Sequence, residues 1–408
     1  YKLNPLVKEI VLQNCGLCGV GCDIQVELQA GKTVLITTPQ QKPGFNGKNL
    51  CFKGRYGWQA EAEKLKTPLI YKQGDYQSIS WHEALKLLKG IIRPESSIGI
   101  EITPHISLEE LLLAQRVAES TKSTLFSKST YFSFSDKYLE LKPNDDAFAL
   151  LKDYQEYVVV GRLNRALLSL IRLEQRKGKK LIIALYPESD PFYRFPDEKY
   201  MGLEELSYKE DRLFIYSQTR ISESVAAEIW NINMGKNILH TTDYMNHRGF
   251  LALNPQVIST TKADLALCFG NIPAQRADFK VAICAYMPEG KEANLILPGS
   301  SFLDIEGVVL GDNAKLSRFE NPQKSVAFGE LTRLLYSLGM IPASLADIPY
   351  WNHQAEILLK ELQNYQPEAF EPVATDKLRK HVVISDCPHQ AIMQALYDAR
   401  KTPTKFNP

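Results

Sequence analysis

Cys15-Gly16-Leu17-Cys18-Gly19-Val20-Gly21-Cys22 is answered by Asn49-Leu50-Cys51-Phe52-Lys53-Gly54-Arg55-Tyr56-Gly57-Trp58, and the rest of the 408-residue chain is organised around this pair of stretches. Three thiols fall within eight residues and a fourth follows after 28 intervening positions, on a segment rich in Gly and Lys. Two thiols separated by two residues can ligate one metal centre, and a third, three residues further on, extends the loop around a body larger than one ion. Zinc fits less well, because structural zinc sites usually present two spaced pairs of ligands. The interleaved glycines supply backbone freedom and amide N–H groups aimed at sulfur. The pattern therefore reads as one [4Fe-4S] cluster held by Cys15, Cys18, Cys22 and Cys51. The bland alternative is four buried free cysteines or two disulfides.

The remaining composition narrows the class. Hydrophobic residues make up 44% and charged residues 23%, the balance of a globular protein that can bury a core. At this length two or three domains are expected. A formal net charge of +1 gives no overall field to attract nucleic acid or an anionic membrane. Seven cysteines, an odd number with four clustered, suit metal chemistry in a reducing compartment, so a cytoplasmic location is expected. The longest apolar runs are too short to cross a bilayer.

Working outward, Ile24–Leu28 and Thr33–Thr37 flank Ala30-Gly31-Lys32 and predict an antiparallel hairpin between the cysteine turn and Cys51. Ser80 with Glu83, and Ser107 with Glu110, predict capping boxes that open helices through Leu88 and from Leu111 to Ser120. Short apolar runs at 97–102, 124–126, 156–160, 180–185, 212–216, 263–269, 280–284 and 293–297 read as strands. With helices at 166–177 and 222–233 between them, they indicate parallel α/β layers. A last helix is expected over 352–364, and a short strand near Val382-Val383-Ile384. Cys268 and Cys284 sit in apolar strand patterns and read as core. Cys387 with His389 makes only a weak metal pair, and the other histidines show no ligand spacing. No Gly-x-Gly-x-x-Gly or Walker A loop occurs, so direct NAD or ATP binding is unsupported.

Several of these stretches resemble the molybdopterin oxidoreductases, in particular formate dehydrogenases and the large iron-sulfur subunit of respiratory complex I. The resemblance rests on the cysteine run, Cys51 to Trp58, Leu65 to Ile70 and Ser80-Trp81-His82-Glu83-Ala84. It continues with Glu109-Glu110-Leu111-Leu112-Leu113, Val158-Val159-Val160-Gly161, Asn246-His247-Arg248-Gly249 and Ala293 to Gly307. The first motif is specific, whereas the later ones gain weight from their order. It implies an α/β fold: a small N-terminal [4Fe-4S] module with a β-hairpin, then two Rossmann-like doubly wound α/β domains, with no C-terminal barrel domain. The expected limits are 1–62 for the cluster module, 63–134 plus 253–340 for the first α/β domain, 135–252 for the second, and 341–408 for a helical extension. Lys53 matches a lysine that lies between cluster and pterin in catalytic relatives. It is expected to be an electron relay or a cation neutralising the cluster.

Three departures from the catalytic pattern shape the functional expectation. The loop after the strand at 124–126 offers Ser127-Lys128-Ser129-Thr130-Tyr131-Phe132-Ser133 in place of a Cys or selenocysteine. The turn Gly161-Arg162-Leu163-Asn164-Arg165 lacks the small residues that let amides approach a pyrophosphate. The residues after Met340 are too few for the closing barrel. The expectation is an iron-sulfur electron-transfer and scaffold subunit of a complex I-like or NAD-linked oxidoreductase, without molybdopterin. Its partners would be other iron-sulfur or flavin subunits, with no nucleic acid and no membrane span of its own. The alternatives are a catalytic molybdenum or tungsten bis-pterin enzyme, with Ser129 or Ser133 near the metal, and a protein stapled by a redox-silent cluster. The opening Tyr1-Lys2-Leu3-Asn4-Pro5 resembles the join to further ferredoxin-like domains.

Overall fold

The computed structural model describes residues 9–373, except 42–43, 142–146, 259–260, 289, 291, 324–325 and 344–347. Tyr1 to Pro5, the strand expected near Val382 and the Cys387/His389 pair lie outside the described residues. The chain opens with β1 (Glu9–Asn14), β2 (Asp23–Gln29) and β3 (Lys32–Thr37), an antiparallel sheet in that order. The expected hairpin is β2–β3, turned through Ala30 and Gly31 at positive φ. Alternation places Ile24, Val26, Leu28 and Ile36 on one buried face. A five-residue helix, α1 (Phe52–Tyr56), follows directly after Cys51.

Next come β4 (Leu69–Lys72), β5 (Asp75–Ser78), α2 (Trp81–Ile91), β6 (Ile98–Ile102), α3 (Leu108–Ser120) and β7 (Leu125–Ser127). Both expected capping boxes form, so two orphan amides at each helix start find acceptors. The chain then builds a separate sheet from β8 (Glu156–Val160), β9 (Lys180–Ala184), β10 (Glu198–Tyr200), β11 (Arg212–Ser217) and β12 (Ile238–Thr241). Helices α4 (Arg165–Gln175) and α5 (Glu223–Ile232) link its strands. All pairings are parallel in the order β10-β9-β8-β11-β12. Such strands are covered on both faces, which is why Tyr157 to Val160 are wholly buried.

The chain returns through α6 (His247–Ala252) and β13 (Gln256–Val257), β14 (Ala263–Phe269), β15 (Ala277–Cys284) and β16 (Leu295–Pro298). These complete an eight-stranded sheet ordered β13-β7-β6-β14-β15-β16-β4-β5, parallel except where β4 and β5 attach. Strand order reverses between β6 and β14 here and between β8 and β11 in the other sheet. Crevices at such switch points open outside the carboxyl ends of the strands.

The hairpin β17 (Glu306–Leu310) and β18 (Leu316–Glu320) and the helix α7 (Ala327–Ser337) have no counterpart in the sequence expectations. The final helix α8 (Ile348–Glu361) starts earlier than expected and ends in a tight turn at Leu362–Asn364. The hairpin ties the layers together. Val308 N–H donates to Glu109 Oε2 at 3.0 Å, Leu310 N–H to Asn246 Oδ1 at 2.8 Å, and Asp312 N–H to Gly19 O at 2.8 Å. On its other edge, Arg318 N–H and Glu320 N–H donate to the side chains of Asn14 and Gln13. The N-terminal sheet is thus clamped to the body of the protein through side-chain contacts on β1.

Two expectations follow. A β-carbon at Gly311 would meet Gly19 O at 2.5 Å and Met245 O at 2.9 Å, backbone atoms that cannot rotate away. Gly311→Ala is expected to destabilise the protein by about 1–3 kcal/mol in urea unfolding, because a packed site must shift to admit it. Burial pushes the Glu109 carboxyl up to about 8, with Val308 N–H pulling the other way. A raised folded-state pKa contributes stability below the unfolded value that is lost as pH rises through the folded one. Glu109→Gln should therefore flatten the decline in stability between about pH 4.5 and 8, read by denaturant midpoints across that range.

Candidate metal centre

Cys15 follows β1 and Cys22 precedes β2, so the three-thiol run is the β1–β2 connection. Cys15 N–H donates to Cys22 O at 2.7 Å and closes the turn at its base. Gly21 carries φ +61, a left-handed conformation that a side chain would strain. At Gly16 a β-carbon would lie 2.5 Å from Phe302 Cβ, so only Gly lets this turn seat against the body. Cys51 arrives from the other side as the N-cap of α1, its Sγ accepting Gly54 N–H at 3.4 Å.

The four thiols are brought close enough to act on one another electrostatically. Burial first, and the neighbouring sulfurs next, push the Cys15 and Cys22 thiols well up and Cys18 to about 12. Leu17 N–H and Val20 N–H donate to the sulfurs of Cys15 and Cys18, and Lys53 is the cation that favours their thiolates. Three of the four sulfurs therefore already accept amide N–H groups.

Another donor waits beside the turn. Asn313 is 1% exposed, its Oδ1 accepts Lys315 N–H at 3.0 Å, and that bond fixes which way the amide points. Its Nδ2 lies 3.1 Å from where a Gly21 β-carbon would be and has no partner among the described residues. A buried orphan donor beside the turn suits an acceptor that the protein does not itself supply.

Among the described residues no group of three or more His, Cys, Asp or Glu side chains is arranged to hold a metal ion. A single tetrahedral ion with bonds of about 2.3 Å would draw four sulfurs to within about 4 Å of one another. Four thiols with a neighbouring cation are the kind of donor set that holds an iron-sulfur cluster.

A small cleft adjoins the turn, lined by Gly16 and Leu17 and by the strand ends at Gly270, Cys284 and Gly299. Cys284, expected in the core, is buried yet borders this cleft, while Cys268 lies wholly within β14. Glu110 and Asp243 also line it, with no Lys or Arg among the lining residues. Around the second switch point, Arg165 makes a two-pronged contact with Asp190 at 2.9 and 2.8 Å, and Arg162 reaches the same carboxylate at 3.6 Å. Leu163 is buried in the core. Ser133 Oγ donates to Gln218 Oε1 at 2.9 Å, and Ser129 begins a short helical turn.

Sequence reasoning missed two arrangements. Buried His247 meets Asp136 at 3.0 Å and Gln218 at 2.9 Å, joining the segment before β8 to the loop after β11. Although burial pushes Asp136 up, the charge and hydrogen bond of His247 hold it below its ordinary value. The second is a buried ionic cluster beside the Cys51 segment. Lys64 pairs with Asp304 and with Glu61, which in turn accepts Tyr286 OH at 2.6 Å and Ser301 Oγ at 3.1 Å. His247, Ser301 and Asp304 lie in stretches that the sequence singles out, but their partners lie far along the chain and carry no pattern that pairs them.

Comparison with known proteins adds an independent line. The family described as Molybdopterin oxidoreductase Fe4S4 domain matches residues 11–62, which contain all four cysteines. NADH-quinone oxidoreductase subunit 3 of Thermus thermophilus is 33% identical over 112 residues, 27% of this chain and 14% of that protein. F420-dependent formate dehydrogenase 1 subunit alpha of Methanococcus maripaludis is 31% identical over 114 residues, 27% of this chain and 17% of that protein. F420-dependent formate dehydrogenase subunit alpha of Methanocaldococcus jannaschii is 28% identical over 119 residues, 28% of this chain and 18% of that protein. The aligned region is thus a small share of each relative's length. Among solved structures, a chain of the formyltransferase/hydrolase complex from Methylorubrum extorquens with methylofuran is similar at TM-score 0.43 and 14% identity. It covers 67% of this chain and 98% of that one. No helix among the described residues is long and apolar enough to cross a membrane.

Removing the cation from the ionic cluster leaves two buried carboxylates facing each other. Lys64→Met is expected to cost about 3–5 kcal/mol in denaturant unfolding, and Lys64→Met combined with Glu61→Gln and Asp304→Asn should recover much of that loss.

Proposed function

Since residues 11–62 belong to the molybdopterin oxidoreductase Fe4S4 domain family, we propose that this chain is an iron-sulfur electron-transfer and scaffold subunit of a larger oxidoreductase. Cys15, Cys18, Cys22 and Cys51 would hold one [4Fe-4S] cluster. The observation that carries the reading is the convergence of these four thiols, three buried and three already accepting amide N–H groups. When bound, such a cluster supplies one-electron exchange. The chain's own residues do the rest. The Leu17 and Val20 amides favour the thiolate form of Cys15 and Cys18, Lys53 offsets its charge, and Phe302 and Met245 pack against Gly16 on that side of the turn.

The α/β sheets would serve as scaffold, within the limits expected from the sequence. We read these sheets as holding no pterin dinucleotide: no Lys or Arg lines the cleft beside the turn, where a pyrophosphate would need cations or free amides. Arg162 and Arg165, the cations of the other switch-point turn, are committed to Asp190. Ser129 and Ser133 are therefore read as structural, and the partners as other iron-sulfur or flavin subunits.

Elemental analysis of anaerobically purified protein should give about four irons per chain, with neither molybdenum nor tungsten. Stoichiometric molybdenum or tungsten would instead support the catalytic reading. Cys51→Ala should lose the cluster and lower the stability of the N-terminal sheet; wild-type iron content in that variant overturns the ligand assignment. An EPR-monitored titration separates an electron carrier, with a reversible one-electron signal, from a redox-silent staple.

A further inference from the structure

We propose that the surface formed by residues 44–58, around Cys51 and α1, is the docking face for a one-electron carrier protein with an acidic surface. This rests on the electron-transfer reading above and names the partner that reading requires. Cys15, Cys18 and Cys22 are 5%, 7% and 3% exposed, whereas Cys51 is partly open to solvent. Its neighbours Leu50, Phe52, Lys53, Arg55, Tyr56 and Trp58 are likewise partly exposed, so this edge is where the thiol site comes nearest to the surface. The other three sulfurs are enclosed by the turn itself and by the residues packed on it, Phe302, Met245 and Phe319 among them. A partner seeking a short path to the site meets it over Cys51.

The charge of that edge selects the partner. Residues 44–60 contain Lys48, Lys53 and Arg55 and no Asp or Glu. Among the described residues none of the three cations is in an ion pair. Three acids near the site are already matched, Asp23 with Lys315 at 3.1 Å, Glu61 with Lys64 at 3.5 Å, and Asp243 with Arg220 at 2.6 Å, while Glu63 is exposed beyond the end of this edge. Lys53 acts on the sulfurs of Cys15 and Cys18 and is partly used in offsetting their charge. Lys48, which is exposed, and Arg55 have no such role. A positive edge with half-buried aromatic rings between its charges, Phe52 and Tyr56 at 5.0 Å among them, has the make-up of a transient docking face.

The test uses the whole chain with its iron loaded, a small acidic plant-type [2Fe-2S] ferredoxin as probe, and the double variant Lys48→Glu/Arg55→Glu. Neither residue is a proposed ligand, so iron content, visible spectrum and midpoint potential should match wild type. Ferredoxin binding at low salt should weaken about tenfold or more in the variant. The difference should vanish near 1 M salt, where charges are screened beyond about 3 Å. Reduction by the methyl viologen radical cation should not slow. Equal ferredoxin affinity in both proteins, at every salt concentration, overturns the docking face while leaving the electron-transfer reading intact. So does a variant that shifts the midpoint potential without weakening binding, since the cations then serve the cluster alone. A loaded protein with no reducible signal overturns the underlying reading, and the docking face with it.

Discussion

The turn that carries three of the four thiols cannot hold them in place by itself, and most of the structure around them follows from this. An eight-residue loop with three glycines has little stiffness of its own, and the three-stranded sheet beneath it is too small to supply a core. Rigidity comes from elsewhere in the chain. The turn between β17 and β18 brings Asp312 N–H onto Gly19 O, and the Asp312 carboxylate accepts Thr242 N–H at 2.8 Å and Thr242 Oγ1 at 2.9 Å. One residue therefore joins the cysteine turn, the hairpin and the loop after β12. Burial pushes the Asp312 carboxyl up to about 6, so this junction rests on a group whose charge is costly and whose hydrogen bonds must be kept.

Local chemistry explains what was legible in the sequence. Spaced thiols, capping boxes and apolar runs act over a few residues, and each appears where its pattern placed it: Ser80 and Ser107 cap their helices, and 156–160 is a wholly buried strand. The β17–β18 hairpin escaped because Glu306-Gly307-Val308-Val309-Leu310 is short and its partner, Leu316 to Glu320, alternates weakly. Its fit depends on Glu109 and Asn246, residues 199 and 64 positions away from their hydrogen-bonding amides. No window of sequence contains that information. The same holds for His247, whose Asp136 partner is 111 residues distant. The ion pairs of Arg162 and Arg165 were hidden for the same reason, since Asp190 lies on the loop that follows β9.

Those committed arginines bear on how the two switch-point crevices differ from a nucleotide site. A pyrophosphate needs backbone amides or cations with nothing else to bind. The Gly161 turn does have a left-handed φ of +64, the kind of backbone that can approach a phosphate. A β-carbon there would meet Ile221 Cγ2 at 2.7 Å, so Gly is needed at this turn, which borders a pocket whose cations, Arg162 and Arg220, contact Asp190 and Asp243. In the other sheet the loops after β6, β14, β15 and β16 surround a cleft with no Lys or Arg in its lining, where Glu110 is engaged by its capping box and Asp243 by Arg220. Each crevice keeps its topology while its side chains serve internal contacts.

Such use of the crevices leaves the thiol site as the most specialised part of the molecule, and its asymmetry then matters. Enclosing three sulfurs raises the cost of charge on each, which is why burial leads the causes that push Cys15, Cys18 and Cys22 up. Cys51, by contrast, is left partly open at the start of α1. The site is therefore insulated on three sides and electrostatically accessible on the fourth. Insulation alone would serve a structural staple equally well, and so would Lys53, which offsets charge on the sulfurs; Lys48 and Arg55 are the cations of this edge that the thiols do not already engage.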